Sequence, residues 1–153
     1  MISEAAAARA EGLIQAAQSE GARVLTGGRR RGAFLEPTLL DNVKASLDIC
    51  RHEVFAPLAV LQSYRDFDEA LAQVNDSDYG LQTGVFTRDI RRAWKAFETL
   101  EVGGVLLNNT PTFRVENMPY GGVKASGFGR EGIRSAMEEM TEPRSLILKL
   151  GST

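Results

Sequence analysis

Leu58-Ala59-Val60-Leu61, Asp66-Phe67-Asp68-Glu69-Ala70-Leu71-Ala72-Gln73-Val74, Gly84-Val85-Phe86-Thr87, the run from Ile90 to Phe97, and Gly103-Gly104-Val105-Leu106-Leu107 follow one another along the chain and decide its fold class. The first is a short apolar run after Pro57 and reads as a buried strand. In the second, Phe67, Ala70, Leu71 and Val74 fall at i, i+3, i+4 and i+7, the spacing of one helix face, and Glu69 stands three residues after Asp66 as in a capping box. The third is extended. In the fourth, Ile90, Ala93, Trp94 and Phe97 mark an apolar helix face opposite Arg91, Arg92, Lys95 and Glu98, so Trp94 is expected in the core. The fifth is again a strand. This βαβαβ order is the one that makes parallel sheets with crossover helices, and it predicts an α/β fold with three αβα layers and a mostly parallel sheet.

Upstream, Ser3 and Glu4 begin a helix with a plausible serine cap and an acid in its first turn. The predicted helix runs from Glu4 to about Glu20, with Ala6, Ala10, Leu13, Ile14 and Ala17 as its stripe and Gly21 as a left-handed stop. A chain that starts on a helix is either complete or one part of something longer, and periodicity does not decide between them. Arg23 to Thr26 is a short strand candidate. The cluster Gly27 to Gly32, with Arg29, Arg30 and Arg31, reads as a solvated turn rather than a phosphate cradle, because no helix N-terminus follows it. Phe34 to Val43 is a further extended segment interrupted by Pro37.

Downstream, residues 108–129 have no clear period and many turn formers, and a loop of that length inside a compact domain is usually functional or covered by a partner. A last helix is expected from Arg130 to Met140, with Ile133, Met137 and Met140 on one side. After Pro143, Ser145-Leu146-Ile147-Leu148-Lys149-Leu150 reads as a strand that is apolar on both faces and suited to pairing with another sheet.

Composition narrows the function classes. In 153 residues, 43% are hydrophobic and 25% charged, the balance of a globular domain with a real core. Eighteen basic residues against 20 acidic ones leave a net charge of −2, so nothing favours nucleic acid or an anionic membrane as a partner. The single cysteine, Cys50, excludes an internal disulfide framework, and the lack of a signal pattern or long apolar run points to a cytoplasmic protein. Asn75-Asp76-Ser77 and Asn108-Asn109-Thr110 match a glycosylation pattern that is accidental in that setting.

Three ordered stretches carry a family resemblance. Glu53-Val54-Phe55-Ala56-Pro57 resembles the Glu-(Ile/Val)-Phe-Gly-Pro segment of the aldehyde dehydrogenase superfamily, departing from it at Ala56. Ala72 to Leu81, followed by Gly84 to Asp89, is similar to the family's helix, turn and strand around a Tyr-Gly-Leu step. Pro119-Tyr120-Gly121-Gly122-Val123-Lys124-Ala125-Ser126-Gly127-Phe128-Gly129-Arg130-Glu131 is a near-complete match to its C-terminal loop. Gly21 to Gly28 and Glu36-Pro37-Thr38 also fit, so the resemblance reaches from the first helix to Leu150. It implies the C-terminal part of an NAD(P)-dependent catalytic domain over residues 1–140 and an oligomerisation strand over residues 141–150. A homodimer or higher oligomer is then expected, with Arg130 and Glu142 near a subunit boundary.

The resemblance assigns Glu53 to the nicotinamide ribose, since a carboxylate accepts from two hydroxyls, and Phe55 to the side of the nicotinamide ring. It places Phe113, Arg114 and Tyr120 at the aldehyde entrance. Arg114 offers a planar fork of donors for a carboxylate, phosphonate or sulfonate tail, and an ordinary ion pair with Glu116 or a neighbouring subunit is the competing reading. No catalytic residue is assigned and no metal is called for: the family's cysteine nucleophile, its glutamate and its dinucleotide-binding domain precede the part this chain matches. The expected product of the parent's reaction is a carboxylic acid, made from a small aldehyde with NAD or NADP. The chain alone is expected to be inactive and to bind the cofactor weakly or not at all. Two alternatives stay open, an interaction module that binds full-length subunits through the terminal strand, and a small enzyme built on Cys50 and His52. Against the second, a lone cysteine is more often a small buried hydrophobe, and His52 has no partner suggested by spacing.

Overall fold

The structure, a computed structural model, describes residues 1–151, and it divides into one compact unit from Met1 to Glu69 and a second beginning at Ala70. Helix α1 (Glu4–Ser19) begins where its cap is: Ser3 is extended, and its hydroxyl accepts from the amide of Ala6. It ends at Gly21, whose φ of +97° is open to glycine at no steric cost. The face it buries carries Ala7, Ala10, Ile14 and Ala17. Three of these four are alanines, so the helix axis can lie close to the strands beneath it.

Those strands are β1 (Arg23–Thr26), β4 (Thr38–Asp41) and β5 (Leu58–Leu61), hydrogen-bonded in the order β1-β4-β5. β1 runs antiparallel to β4, while β4 and β5 run parallel with Thr38 opposite Leu58 and Asp41 opposite Leu61. Ala10, Ile14 and Ala17 pack with Leu35, Leu40, Val43 and Ile49 in one core, and Val24, Val54, Leu58 and Val60 close around it. A small hairpin, β2 (Arg30–Arg31) with β3 (Phe34–Leu35), crosses beside it. The Gly27 to Gly32 segment is therefore more ordered than a solvated turn. Arg30 is half-buried and its Nε donates to Glu11 at 2.7 Å, so the arginine serves the fold.

The second unit holds β6 (Tyr79–Gly80), β7 (Gln82–Val85), α4 (Ile90–Thr99), β8 (Gly104–Leu107), β9 (Val123–Lys124) and α5 (Ile133–Glu139). Helix α3 (Phe67–Asn75) leads into it and starts directly after Asp66, as its pattern predicts. β7 and β8 are parallel, and β6 and β9 antiparallel. Asp89 caps α4, its Oδ1 accepting from the amides of Arg91 and Arg92 at 2.9 and 3.4 Å. At the other end of α4, the Asn75 side chain donates to the carbonyl of Thr99 at 2.7 Å and accepts from the amide of Glu101 at 2.9 Å. The ammonium of Lys124 then ties Glu101, at 2.7 Å, to the carbonyl of Asn75, at 2.8 Å. Backbones meet closely here: a Cβ on Gly103 would lie 1.6 Å from the carbonyl oxygen of Gly121.

The α/β class holds, with mixed sheets. The continuous βαβαβ sheet expected from Leu58 to Leu107 is divided: β5 pairs with β4 and β7 pairs with β8. The reason is the strand at Thr38–Asp41, which takes β5 as its parallel neighbour across a connection containing only α2 (Asp48–Arg51) and the Glu53–Pro57 loop. Trp94 is not in a core. It is 59% exposed, and Ile90 and Phe97 are exposed with it, because α4 buries Ala93 and Ala96 instead. Residues 141–151 form no helix or strand within this single chain, and Leu146, Ile147, Leu148 and Leu150 are exposed. Among the described residues no helix is long and apolar enough to cross a membrane.

Candidate functional site

In the first unit, the candidate site is the loop between α2 and β5. Val54 points into the core while Phe55 stands 78% exposed beside it, so adjacent residues serve packing and presentation in turn. Phe55 has φ +51°, a left-handed conformation that is uncommon for a large side chain and costs on the order of 1–3 kcal/mol. Ala56 does not share it, so replacing the family's glycine with alanine at that position places no Cβ in a left-handed residue. Hydrogen bonds hold the loop's carbonyls. Val54 accepts from the guanidinium of Arg9 on α1, Ala56 from the amide of Leu58 at 2.7 Å, and Pro57 from the amide of Thr38 at 2.8 Å. Glu53, next to this frame, is exposed. An acid and an aromatic ring are thus displayed outward from a short, tied loop.

Cys50 and His52 lie just before it and lack the features of an activated pair. Burial pushes the Cys50 thiol up from its ordinary value, a larger effect than the opposing pull of the Arg51 charge. His52 sits 3.8 Å from Asp48 at the end of α2, and both side chains are well exposed.

In the second unit, Arg114 and Tyr120 come together. The Arg114 guanidinium lies 4.5 Å from the centre of the Tyr120 ring, and its Nη2 donates to Glu131 Oε2 at 3.0 Å. Tyr120 and Glu131 exchange both backbone bonds, Tyr120 N–H to Glu131 at 3.0 Å and the reverse at 2.6 Å. The three residues therefore interlock: the backbone bridge fixes ring and carboxylate, and these fix the guanidinium from two sides. The competing reading from sequence was an ordinary ion pair with Glu116 or a neighbouring subunit; the structure has an ion pair of that kind, with Glu131, which the Tyr120–Glu131 bridge places beside it. Phe113 is partly exposed next to Arg114, its carbonyl accepting from Gln82 Nε2 at 3.4 Å. Arg130 turns inward, its guanidinium donating to the carbonyls of Gly122 and Gly129 at 3.1 and 2.7 Å. Among the described residues no group of three His, Cys, Asp or Glu could hold a metal ion.

With the acid-aromatic loop and the arginine-bearing loop placed, comparison with known proteins gives the class. The aldehyde dehydrogenase family model matches residues 1–146, and the chain belongs to that family. It is 49% identical over 144 residues to a 3-sulfolactaldehyde dehydrogenase of Priestia aryabhattai, covering 94% of this chain and 30% of the relative. It is 45% identical over 152 residues to a lactaldehyde dehydrogenase of Methanococcus aeolicus, covering 97% of this chain and 32% of the relative. Among solved structures, aldehyde dehydrogenase 21 from Physcomitrella patens, in complex with the reaction product succinate, superposes with a TM-score of 0.89 at 47% identity, covering 93% of this chain and 30% of that one. The chain thus spans about 30% of the length of the relatives it matches.

Proposed function

We propose that this chain is the C-terminal part of the catalytic domain of an NAD- or NADP-dependent aldehyde dehydrogenase, and that it furnishes walls for cofactor and substrate while the nucleophile is carried on other polypeptide of the same enzyme. Glu53 accepts from the nicotinamide ribose and Phe55 packs beside the nicotinamide. Phe113, Arg114 and Tyr120 border the aldehyde entrance, where Arg114 binds the anionic tail of a small aldehyde. In the complete domain the mixed sheets seen here join a mostly parallel, three-layer arrangement, and the enzyme works in the cytoplasm. The observation that carries the reading is Arg114, held against the Tyr120 ring and Glu131 rather than left to swing in solvent. A pre-positioned guanidinium loses less entropy on binding an anion than a free one does. The names of similar proteins support it, since sulfolactaldehyde carries a sulfonate and succinate a second carboxylate.

Sulfolactaldehyde and lactaldehyde differ by that anionic group, so the pair tests the clamp. In the full-length enzyme carrying this chain, Arg114→Leu is expected to raise KM for 3-sulfolactaldehyde roughly 10- to 100-fold, the loss of a charge-assisted hydrogen bond, and to change KM for lactaldehyde by far less. Equal changes for both substrates would remove the clamp.

A second reading concerns the tail. The exposed apolar residues Leu146, Ile147, Leu148 and Leu150 favour a terminal strand that completes a sheet in another subunit, either in a homodimer or higher oligomer or as an interaction module for full-length subunits.

A further inference from the structure

We propose that Arg9 is a positioning residue for the nicotinamide end of the cofactor, acting through the backbone of the Glu53–Pro57 loop. The inference rests on the reading that Glu53 and Phe55 face the cofactor, and goes beyond it by naming what holds them there. Arg9 lies in the second turn of α1, between the buried positions Ala7 and Ala10, and its guanidinium donates to the carbonyl oxygen of Val54, forty-five residues away along the chain. Val54 and Phe55 share the peptide bond that this oxygen belongs to, so fixing the carbonyl fixes the plane from which Phe55 leaves. Phe55 takes a left-handed φ, which an aromatic residue in a free loop would leave for the extended or right-handed region.

Three restraints surround it: the packing of Val54, the Arg9 bond, and the bonds accepted by Ala56 and Pro57. The restraint on the preceding peptide is the only one of these made by a charged side chain from a separate element. Without it, the peptide can rotate, Phe55 can relax, and both the ring and the neighbouring Glu53 lose their orientation. Arg9 touches no substrate in this scheme. Its charge matters only as a strong donor to a neutral carbonyl, so a lysine that reaches the same oxygen should serve in part.

Two arms test it. In the 153-residue chain, NMR scalar couplings and backbone chemical shifts report φ at Phe55. Arg9→Leu is expected to shift Phe55 toward negative φ, with changes confined to residues 52–57, while the amides of Ile14 and Leu40 keep their shifts and Arg9→Lys moves the pattern most of the way back to wild type. In the full-length enzyme, Arg9→Leu is expected to raise KM for the nicotinamide cofactor roughly five- to tenfold, with KM for the aldehyde at saturating cofactor unchanged and most of the loss recovered by Arg9→Lys. A wild-type φ at Phe55 together with a wild-type cofactor KM in Arg9→Leu would overturn the proposal, as would an equal loss for cofactor and aldehyde. Phe55→Ala separates this from its premise. If Phe55→Ala raises the cofactor KM and Arg9→Leu does not, the positioning role of Arg9 fails and the loop assignment stands. If Phe55→Ala has no effect, the loop assignment fails, and the positioning role falls with it.

Discussion

The two units bury their apolar residues to different extents. From Met1 to Glu69, a helix with a small-residue face lies on strands, and the fully enclosed Ile14 of the helix and Leu40 of β4 lead a set of side chains sealed from solvent. From Ala70 onward the apolar residues are as plentiful, but α4 turns Ile90, Trp94 and Phe97 outward, α5 buries no residue, and the tail is bare. Trp94 and Phe97 meet edge to face at 6.0 Å and line an open groove with Ile90, Ala93, Val105 and Leu107. The second unit encloses a smaller apolar set, Leu71, Ala93, Ala96, Leu100 and Leu106, and adds polar ties in the Asn75, Lys124 and Glu101 network and the contacts among Arg114, Tyr120 and Glu131. A core of buried hydrocarbon stabilises through area removed from water, whereas exposed ion pairs contribute little each. The first unit thus encloses more of its hydrocarbon, and the second exposes more faces of the kind that other polypeptide covers.

Truncations on either side of that divide give the largest test. Leu40→Ala is expected to lower the unfolding free energy of the first unit by about 2–5 kcal/mol, through lost burial and the cavity left behind. Trp94→Ala in the same chain should cost about 1 kcal/mol or less, the worth of one edge-to-face pair at a half-open site. Urea unfolding followed by circular dichroism reads both. A Trp94→Ala effect as large as that of Leu40→Ala would mean that the outward face of α4 is already covered, by a second copy of the chain, and would break the contrast.

A smaller effect on stability, though a clear one on assembly, is expected from the tail. Ending the chain after Arg144 removes Ser145 to Gly151, which form no helix or strand in the single chain, and the two residues after them. The midpoint should therefore stay nearly unchanged, while sedimentation shows oligomers of the intact chain giving way to monomers. An unchanged mass distribution after the truncation would assign the exposed leucines no role in association.

How much of this could be read beforehand followed the range of the interactions. Helix α1 was legible at both ends because Ser3 and Gly21 act on their immediate neighbours, and β1 and β5 were legible because apolar runs bounded by turn formers are local signals. α4 was placed correctly by its period, yet its burial was misjudged. Periodicity reveals which residues share a face and not whether the same chain supplies something to cover it, so Trp94 looked like core. β9 was missed altogether. Val123–Lys124 pairs with Tyr79–Gly80 across more than forty residues, and a strand of two residues has no pattern of its own. The candidate site divides in the same manner. Glu53, Phe55, Phe113, Arg114 and Tyr120 carried a family resemblance in contiguous motifs. Arg9 and Glu131 act through contacts between segments distant in sequence, and their part appears only in the folded chain.

On the proposed reading, the chain presents surfaces for cofactor and aldehyde but not the attacking atom. Cys50 is its single thiol, and burial holds that thiol in its protonated form more firmly than usual. Incubating the purified 153-residue chain with NAD or NADP and 3-sulfolactaldehyde, while following absorbance of the reduced nicotinamide, measures this directly. The account predicts no turnover above the uncatalysed background, with or without Cys50→Ser. Steady formation of reduced cofactor that disappears in Cys50→Ser would contradict it.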